Sequence, residues 1–256
     1  VTPAAQPLFG KRVLVTRPTH EADDFATRLR EAGAEPVGAP TIAICPPDDP
    51  AAARAAVARA SEYDWAVFTS RNAVDAFFHV LGELGRDARA FGAAKVAAIG
   101  PKTAAALTAR GVRVDLVPLT FVNEAVAAEL LARTAQGDHI LVYRAQEARA
   151  VLPDTLRDHG RIVDDVAAYA TRFVDDSDLA AKAAEADIVA FTSASTVAGF
   201  VHNVPDAAHA LEPKTVAAIG PITAHAAREA GIRVDVVADE FTVDGLVRAL
   251  TAAAPV

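Results

Sequence analysis

Four short stretches put hydroxyls and glycines where a strand should turn into a helix: Phe68-Thr-Ser-Arg-Asn72, Ile99-Gly-Pro-Lys-Thr103, Phe191-Thr-Ser-Ala-Ser195 and Ile219-Gly-Pro-Ile-Thr223. Ser70 and Ser193 suit the N-cap, where a side-chain oxygen accepts from the first free backbone N–H groups. Gly100 and Gly220 allow a tight turn or a close approach between backbone and ligand. Pro101 and Pro221 suit the first helical position. Free N–H groups at such starts attract anions, by roughly 0.3–1 kcal/mol per helix end near the surface and up to ~2 when partly buried. One such loop reads as a turn and a cap. Four together, carrying Thr69, Ser70, Gly100, Thr103, Thr192, Ser193, Gly220 and Thr223, point to an anion-binding cleft.

Tyr169 stands in Val166-Ala-Ala-Tyr-Ala-Thr171, just after a strand-like run. The matching place in the first half, Pro40–Ile44, has no tyrosine. Both segments read as extended connectors between blocks of strands and helices. A tyrosine there either packs between domains or offers a phenol, of pKa near ~10, to assist a leaving hydroxyl. Other chemistry finds no support. There is no G-x-G-x-x-G after the first strand, no phosphate-binding G-x-x-x-x-G-K-[ST] and no G-x-S-x-G elbow. The seven histidines show no metal-ligand spacing. Cys45, the single cysteine, excludes an internal disulfide and reads as a small packed residue. No cofactor and no metal are expected.

The elements that must hold these loops alternate. Short strands are predicted at Val13–Thr16, Glu35–Ala39, Trp65–Phe68, Lys95–Ile99, Val112–Leu116, His139–Tyr143, Ile162–Ala167, Ile188–Phe191, Thr215–Ile219 and Val234–Val237, with helical patterns between most of them. Such βα alternation calls for parallel sheets covered by helices. The chain also repeats itself. Asp64–Ser70 matches Asp187–Ser193 at an offset of 123, and Val96–Val114 matches Val216–Val234 at 120, with 12 of 19 positions identical. More weakly, Gly10–Arg17 matches Gly137–Arg144 at 127. A period this long means two similar domains of about five strands each, not a solenoid. Ligands of open parallel sheets bind beyond the carboxyl ends of the strands, where the four loops fall.

Composition sets the outer bounds. The 256 residues carry 25 Lys+Arg against 33 Asp+Glu, a net charge of −8, which disfavours a general nucleic-acid binder. No apolar run suggests a membrane span, and the start lacks an apolar signal core, so a cytoplasmic protein is expected.

Taken in order, Val13-Leu-Val-Thr-Arg-Pro18, Gly33-Ala-Glu-Pro-Val37 with Pro40, Phe68-Thr-Ser70 with Asn72-Ala73-Val74, Ala98-Ile-Gly-Pro-Lys-Thr103, Tyr169 near Thr171, Phe191-Thr-Ser193 and Ala218-Ile-Gly-Pro-Ile-Thr223 make the chain resemble the uroporphyrinogen-III synthase family over nearly its whole length. The resemblance implies two flavodoxin-like α/β domains joined by a two-stranded linker, with the active site in the cleft between them. It implies a discontinuous division: residues 1–42 with 171–256 in one domain, 46–167 in the other, and connectors 41–45 and 168–172 as a hinge. The sequence alone equally allows a tandem split near 135.

The implied reaction is the cofactor-free cyclisation of hydroxymethylbilane, a linear tetrapyrrole with eight carboxylates, to uroporphyrinogen III with inversion of ring D. Hydroxyl departure gives an azafulvene cation, and ring D then attacks through its substituted carbon, forms a spiro intermediate, fragments and recloses inverted. Since the substrate closes unaided to the wrong isomer, orientation is the enzyme's main task. Tyr169 matches the family's candidate for assisting hydroxyl departure. Thr103 and Thr223 match the threonines of its two I-G-x-x-T loops, and Thr69, Ser70, Thr192 and Ser193 its hydroxyl loops. Arg17 and Arg144, at corresponding places in the half-repeats, are basic candidates for the substrate or else surface salt-bridge residues. Tyr143-Arg-Ala-Gln-Glu-Ala-Arg149 departs from the glycine-bearing loop of many members. A monomer without nucleic-acid or membrane partners is expected. The alternative is a non-catalytic tetrapyrrole- or anion-sensing module on the same fold. A periplasmic-type binding protein is a third reading, which the lack of a signal core disfavours.

Overall fold

A computed structural model describes residues 6–253 of the chain. They divide into two compact units: one takes the chain up to Ala43 and again from Arg172 onward, the other Ile44–Thr171.

In the discontinuous unit, β1 (Arg12–Val15), α1 (Thr19–Glu31) and β2 (Glu35–Gly38) open the chain. The chain leaves it through β3 (Ile42–Cys45). The second unit then runs α2 (Pro50–Ala58), β4 (Trp65–Phe68), α3 (Arg71–Glu83), β5 (Lys95–Ala98), α4 (Pro101–Thr108), α5 (Asn123–Leu131), β6 (His139–Ala145) and α6 (Val151–Asp158). β7 (Ile162–Phe173) ends it and leads back. The first unit is completed by α7 (Leu179–Glu185), β8 (Ile188–Phe191), α8 (Ala194–Asn203), α9 (Ala207–Leu211), β9 (Thr215–Ala218), α10 (Pro221–Glu229), β10 (Val236–Val237) and α11 (Val243–Ala253).

The two sheets have the orders β10-β9-β8-β1-β2 and β3-β7-β6-β4-β5. All pairs in the first are parallel, as are β4/β5, β4/β6 and β6/β7 in the second. β4 and β8 are buried along their whole length, as parallel strands covered on both faces must be. On β4, Phe68 faces one core with Phe77 and Tyr143, while Trp65 and Val67 face the other with Leu130 and Ile140.

Aspartates start the central strands the same way in both units. Asp64 accepts from His139 N at 2.8 Å, and Asp187 from Arg12 N at 2.8 Å.

One expectation changes. Val112–Leu116 does not form a strand; a single bridge joins Leu116 to Ala97. The side chain of Asp115 accepts from Val96 N at 2.9 Å, taking the donor that a longer ladder would use. The segment 168–172, expected as an extended connector, is the last part of β7, which runs unbroken from Ile162 to Phe173. β7 carries a bulge there: Arg144 pairs with Ala167 and Ala145 with Tyr169, leaving Ala168 as the extra residue.

Candidate functional site

Each sheet has one point where successive connections depart in opposite directions, and ligand sites of open α/β sheets lie beyond the strand ends there. In the Ile44–Thr171 unit that point is between β4 and β6, since β5 lies to one side and β7 to the other. Thr69 and Ser70 follow β4, and Arg144 is the last residue but one of β6. In the other unit it is between β1 and β8, with Arg17 after β1 and Thr192 and Ser193 after β8.

Ser70 is the N-cap of α3, accepting from Ala73 N at 3.0 Å. Its hydroxyl donates in turn to the phenol oxygen of Tyr169 at 3.2 Å. Tyr169 is 8% exposed. The bulge in β7 shifts the side-chain alternation just ahead of it, a device that re-aims a side chain. The other two tyrosines are engaged differently. Tyr63 donates to Asp164 at 2.7 Å, beside the amino ends of β4 and β6. Tyr143 is wholly buried against Phe68 and Phe77, and burial pushes its phenol well above the usual tyrosine range.

Ser193 caps α8 in a reciprocal pair with Thr196, each side chain bonding the other's backbone N–H at 3.2 Å, and its hydroxyl lies 2.9 Å from that of Ser195. Gly100 and Gly220 are the N-caps of α4 and α10, each followed by proline and without a side-chain cap. Their backbones are extended (φ −168° and −179°), so a left-handed turn is not why glycine stands there. A Cβ would instead meet the ring of Phe121 at 3.3 Å or that of Phe241 at 2.9 Å. Both rings are more than half exposed, at 56% and 58%. Thr103 and Thr223 sit in the first turns of the same helices, each only 4% exposed.

Arg144 is 12% exposed on its side chain and points into its own structure. Its Nε and Nη2 donate to the two carboxylate oxygens of Asp165 at 2.6 and 2.8 Å, and Nη1 to the carbonyls of Ala145 and Ala148 at 3.2 and 2.5 Å. It therefore shapes the loop after β6. Among the described residues no group of three His, Cys, Asp or Glu is placed to hold a metal ion, and no helix is long and apolar enough to cross a membrane.

Sequence reasoning missed two features at these strand ends. Phe121 and Phe241 are separated by the same 120 residues as the repeat, a signal that was available. Gln146 and Glu147, in the loop held by Arg144, had no such signal.

A family profile described as uroporphyrinogen-III synthase HemD matches residues 23–248. A uroporphyrinogen-III synthase of Synechococcus elongatus is 33% identical over 257 residues, covering 96% of this chain and 97% of that protein. The porphyrin biosynthesis protein HemD of Ruminiclostridium josui is 33% identical over 246 residues, covering 94% of this chain; the chain spans 48% of that longer protein. In fold, the chain is similar to a mutant uroporphyrinogen III synthase of Thermus thermophilus, with a TM-score of 0.66 at 21% identity over 95% of this chain and 98% of that one. It is also similar to the Helicobacter pylori uroporphyrinogen-III synthetase, with a TM-score of 0.62 at 19% identity over 94% and 98%.

Proposed function

This chain belongs to the uroporphyrinogen-III synthase family, and from that premise we propose that it cyclises hydroxymethylbilane to uroporphyrinogen III with Tyr169 as the proton donor. The observation that carries the assignment to Tyr169 is its bond to Ser70. The terminal hydroxyl of the substrate leaves poorly as hydroxide, and a phenol proton delivered to it lets it depart as water. As the proton goes, negative charge grows on the phenol oxygen. The Ser70 hydroxyl at 3.2 Å and the positive end of α3 behind it both favour that charge. The pyrrole nitrogen already pushes electrons toward the breaking bond, so the donor supplies only part of the barrier.

The substrate carries eight carboxylates, and the starts of α4 and α10 offer backbone N–H groups without a competing side-chain cap. Gly100, Thr103, Gly220 and Thr223 are proposed substrate contacts through these turns. Thr69, Ser70, Thr192, Ser193 and Arg17 are proposed contacts at the ends of β4, β8 and β1. Arg144 is assigned a supporting role, because its donors are engaged by Asp165 and two carbonyls. The chemistry needs no cofactor in this scheme.

Product analysis tests the reading. With hydroxymethylbilane supplied, the wild type should form the III isomer. Tyr169→Phe should stay folded and bind substrate but form that isomer at least ~10-fold more slowly, toward the low end of what a general acid supplies. Wild-type turnover in the folded variant would remove Tyr169 as the donor. Formation of only the uncatalysed I isomer by the wild type would favour the sensing module instead.

A further inference from the structure

The loop after β6 is bonded to two other segments of its unit. The backbone N–H of Gln146 donates to the carbonyl oxygen of Tyr169 at 2.9 Å. Its side-chain Nε2 donates to a carboxylate oxygen of Asp48 at 2.6 Å, and its Oε1 accepts from Asp48 N at 2.8 Å. Both carboxylate oxygens of Glu147 accept from Thr171 N, at 3.1 and 3.2 Å. Asp48 precedes the N-cap of α2, Asp49, which accepts from Ala52 N at 3.0 Å. Gln146 thus ties the chain that has just left β3 to β7 at Tyr169, immediately after the bulge.

The phenol of Tyr169 is bonded by Ser70 and its main chain by Gln146. We propose that Gln146, fixed in turn by Asp48, is a positioning residue that sets where the Tyr169 phenol stands. The inference rests on the reading of Tyr169 as proton donor. The residue type follows from the partner. Asp48 presents one donor, its N–H, and one acceptor, its carboxylate, and a side-chain amide answers both at once. A carboxylate at position 146 would still accept from Asp48 N but would set like charges against each other. The bulge interrupts the β6–β7 register just ahead of Tyr169, and the bond from Gln146 just beyond it contributes to the direction that residue takes. Placement matters because a proton donor must be within hydrogen-bond reach of the leaving oxygen.

The test exchanges the two partners and reads position separately from turnover. The chain has three tyrosines, so ring-labelled tyrosine gives three NMR signals, assignable by replacing each tyrosine with phenylalanine. In Gln146→Glu the Tyr169 signal should move while that of Tyr63 stays. Turnover should fall about tenfold with KM within about twofold, the split expected of a misplaced donor. Adding Asp48→Asn puts the amide on the other partner and should return both signal and turnover. In a Tyr169→Phe background, Gln146→Glu should cost less than about twofold, since the group it positions is gone. If Gln146→Glu does not fold, Gln146→Met keeps the length without the charge and should move the same signal. A Tyr169 signal unmoved in a folded variant, or moved and not returned by the exchange, overturns the proposal. A signal that moves and returns while turnover never changes supports the positioning and removes Tyr169 from the chemistry.

Discussion

Set side by side, the two units share their strand-to-helix framework and part company in what they place around it. Phe68 meets Phe77 edge to face at 5.2 Å and 85°, and Phe191 meets Phe200 at 5.5 Å and 81°, at repeat-related positions. Asp115 and Asp235 each accept from the first buried residue of the neighbouring strand at 2.9 Å. Differences fall at four pairs of positions. Gly199 in one unit stands where the other has Ala76, Thr16 where the other has Tyr143, and Ala186 and Val37 where the other has Tyr63 and Asp164. The duplicated framework is what packing demands of any such sheet. The unmatched positions are where each unit commits polar groups to a task of its own, and each gives a way to break the comparison.

Gly199 gives the largest effect. A Cβ there would lie 2.3 Å from the carbonyl oxygen of Thr41. That segment cannot retreat cheaply. Thr41 Oγ1 donates to the carbonyl oxygens of Thr196 at 2.9 Å and Thr16 at 3.3 Å, and Val174 N donates to Thr41 O at 3.1 Å. Gly199→Ala should therefore cost about 3 kcal/mol, the upper end for overpacking. The matching Ala76→Gly should cost only about 1 kcal/mol, from helix propensity. Trp65, the only tryptophan, lies in the Ile44–Thr171 unit and reports on it alone. In denaturant melts, Gly199→Ala should shift the far-UV dichroism and leave the Trp65 transition behind, whereas Ala76→Gly should shift Trp65. Equal losses would mean that α3 and α8 pack alike.

The Tyr63–Asp164 pair separates the units by pH. Tyr63 donates to Asp164 Oδ2 at 2.7 Å, and Arg59 donates to the same oxygen at 3.1 Å. Burial and then this bond hold the Tyr63 phenol well above the usual tyrosine range. Burial pushes the Asp164 carboxyl up, but the bonds from Tyr63 and His139 and the charges of His139 and Arg59 outweigh it, leaving the group below its ordinary 3.8. A raised phenol contributes stability that is whole below its unfolded value near ~10 and is lost as pH rises toward the folded one. A lowered carboxyl contributes above its unfolded value and is lost as pH falls through the folded one. The other unit shares the acid side, since Asp176 is lowered by Lys182, but has Ala186 and Val37 at the places of Tyr63 and Asp164. Tyr63→Phe should cost about 1.5 kcal/mol at neutral pH, as for a hydrogen bond to a charged acceptor. The gap between wild type and variant, read from Trp65 melts, should close above pH ~10. A gap unchanged into strong alkali would show that the bond contributes nothing.

The comparison also shows what a sequence can disclose. The βα rhythm, the helix starts at Ser70, Ser193, Gly100 and Gly220, and the repeated strand cores were legible because each depends on neighbours along the chain. The reading failed where a distant partner decides. Val112–Leu116 has strand-like residues, yet the Asp115 side chain takes the Val96 N–H and cuts the ladder to one bridge. The β7 bulge that turns Tyr169 exists only against β6. At Gly100 and Gly220 the backbone is extended, so a left-handed turn is not the constraint, and what a Cβ would meet there, the rings of Phe121 and Phe241, is visible only in the fold. Gln146 is a polar residue in a polar loop until Asp48 and Tyr169 are beside it.

The smallest effect should also be the one with opposite signs in the two units. Thr16 and Tyr143 occupy the same repeat position, on or just after the strands β1 and β6, and both are fully buried. Thr16 Oγ1 donates to Ala190 O at 2.9 Å, so its hydroxyl keeps in the fold what it had in water. The Tyr143 hydroxyl has no hydrogen-bond partner among the described residues, and its ring is surrounded by Phe68, Phe77 and Leu141. A net hydrogen bond contributes about 1 kcal/mol, whereas a buried polar group left unpaired costs about 1–3 kcal/mol. Thr16→Val keeps the shape and should destabilise its unit by about 1 kcal/mol. Tyr143→Phe removes only the stranded oxygen and should be neutral or stabilise its unit by up to about 1 kcal/mol, offset in part by the small void it leaves. Trp65 sits on the strand paired with β6 and should report the gain directly as a higher denaturant midpoint at unchanged slope. A loss in both variants would mean that the Tyr143 hydroxyl is satisfied in solution, and that the two units treat this position alike after all.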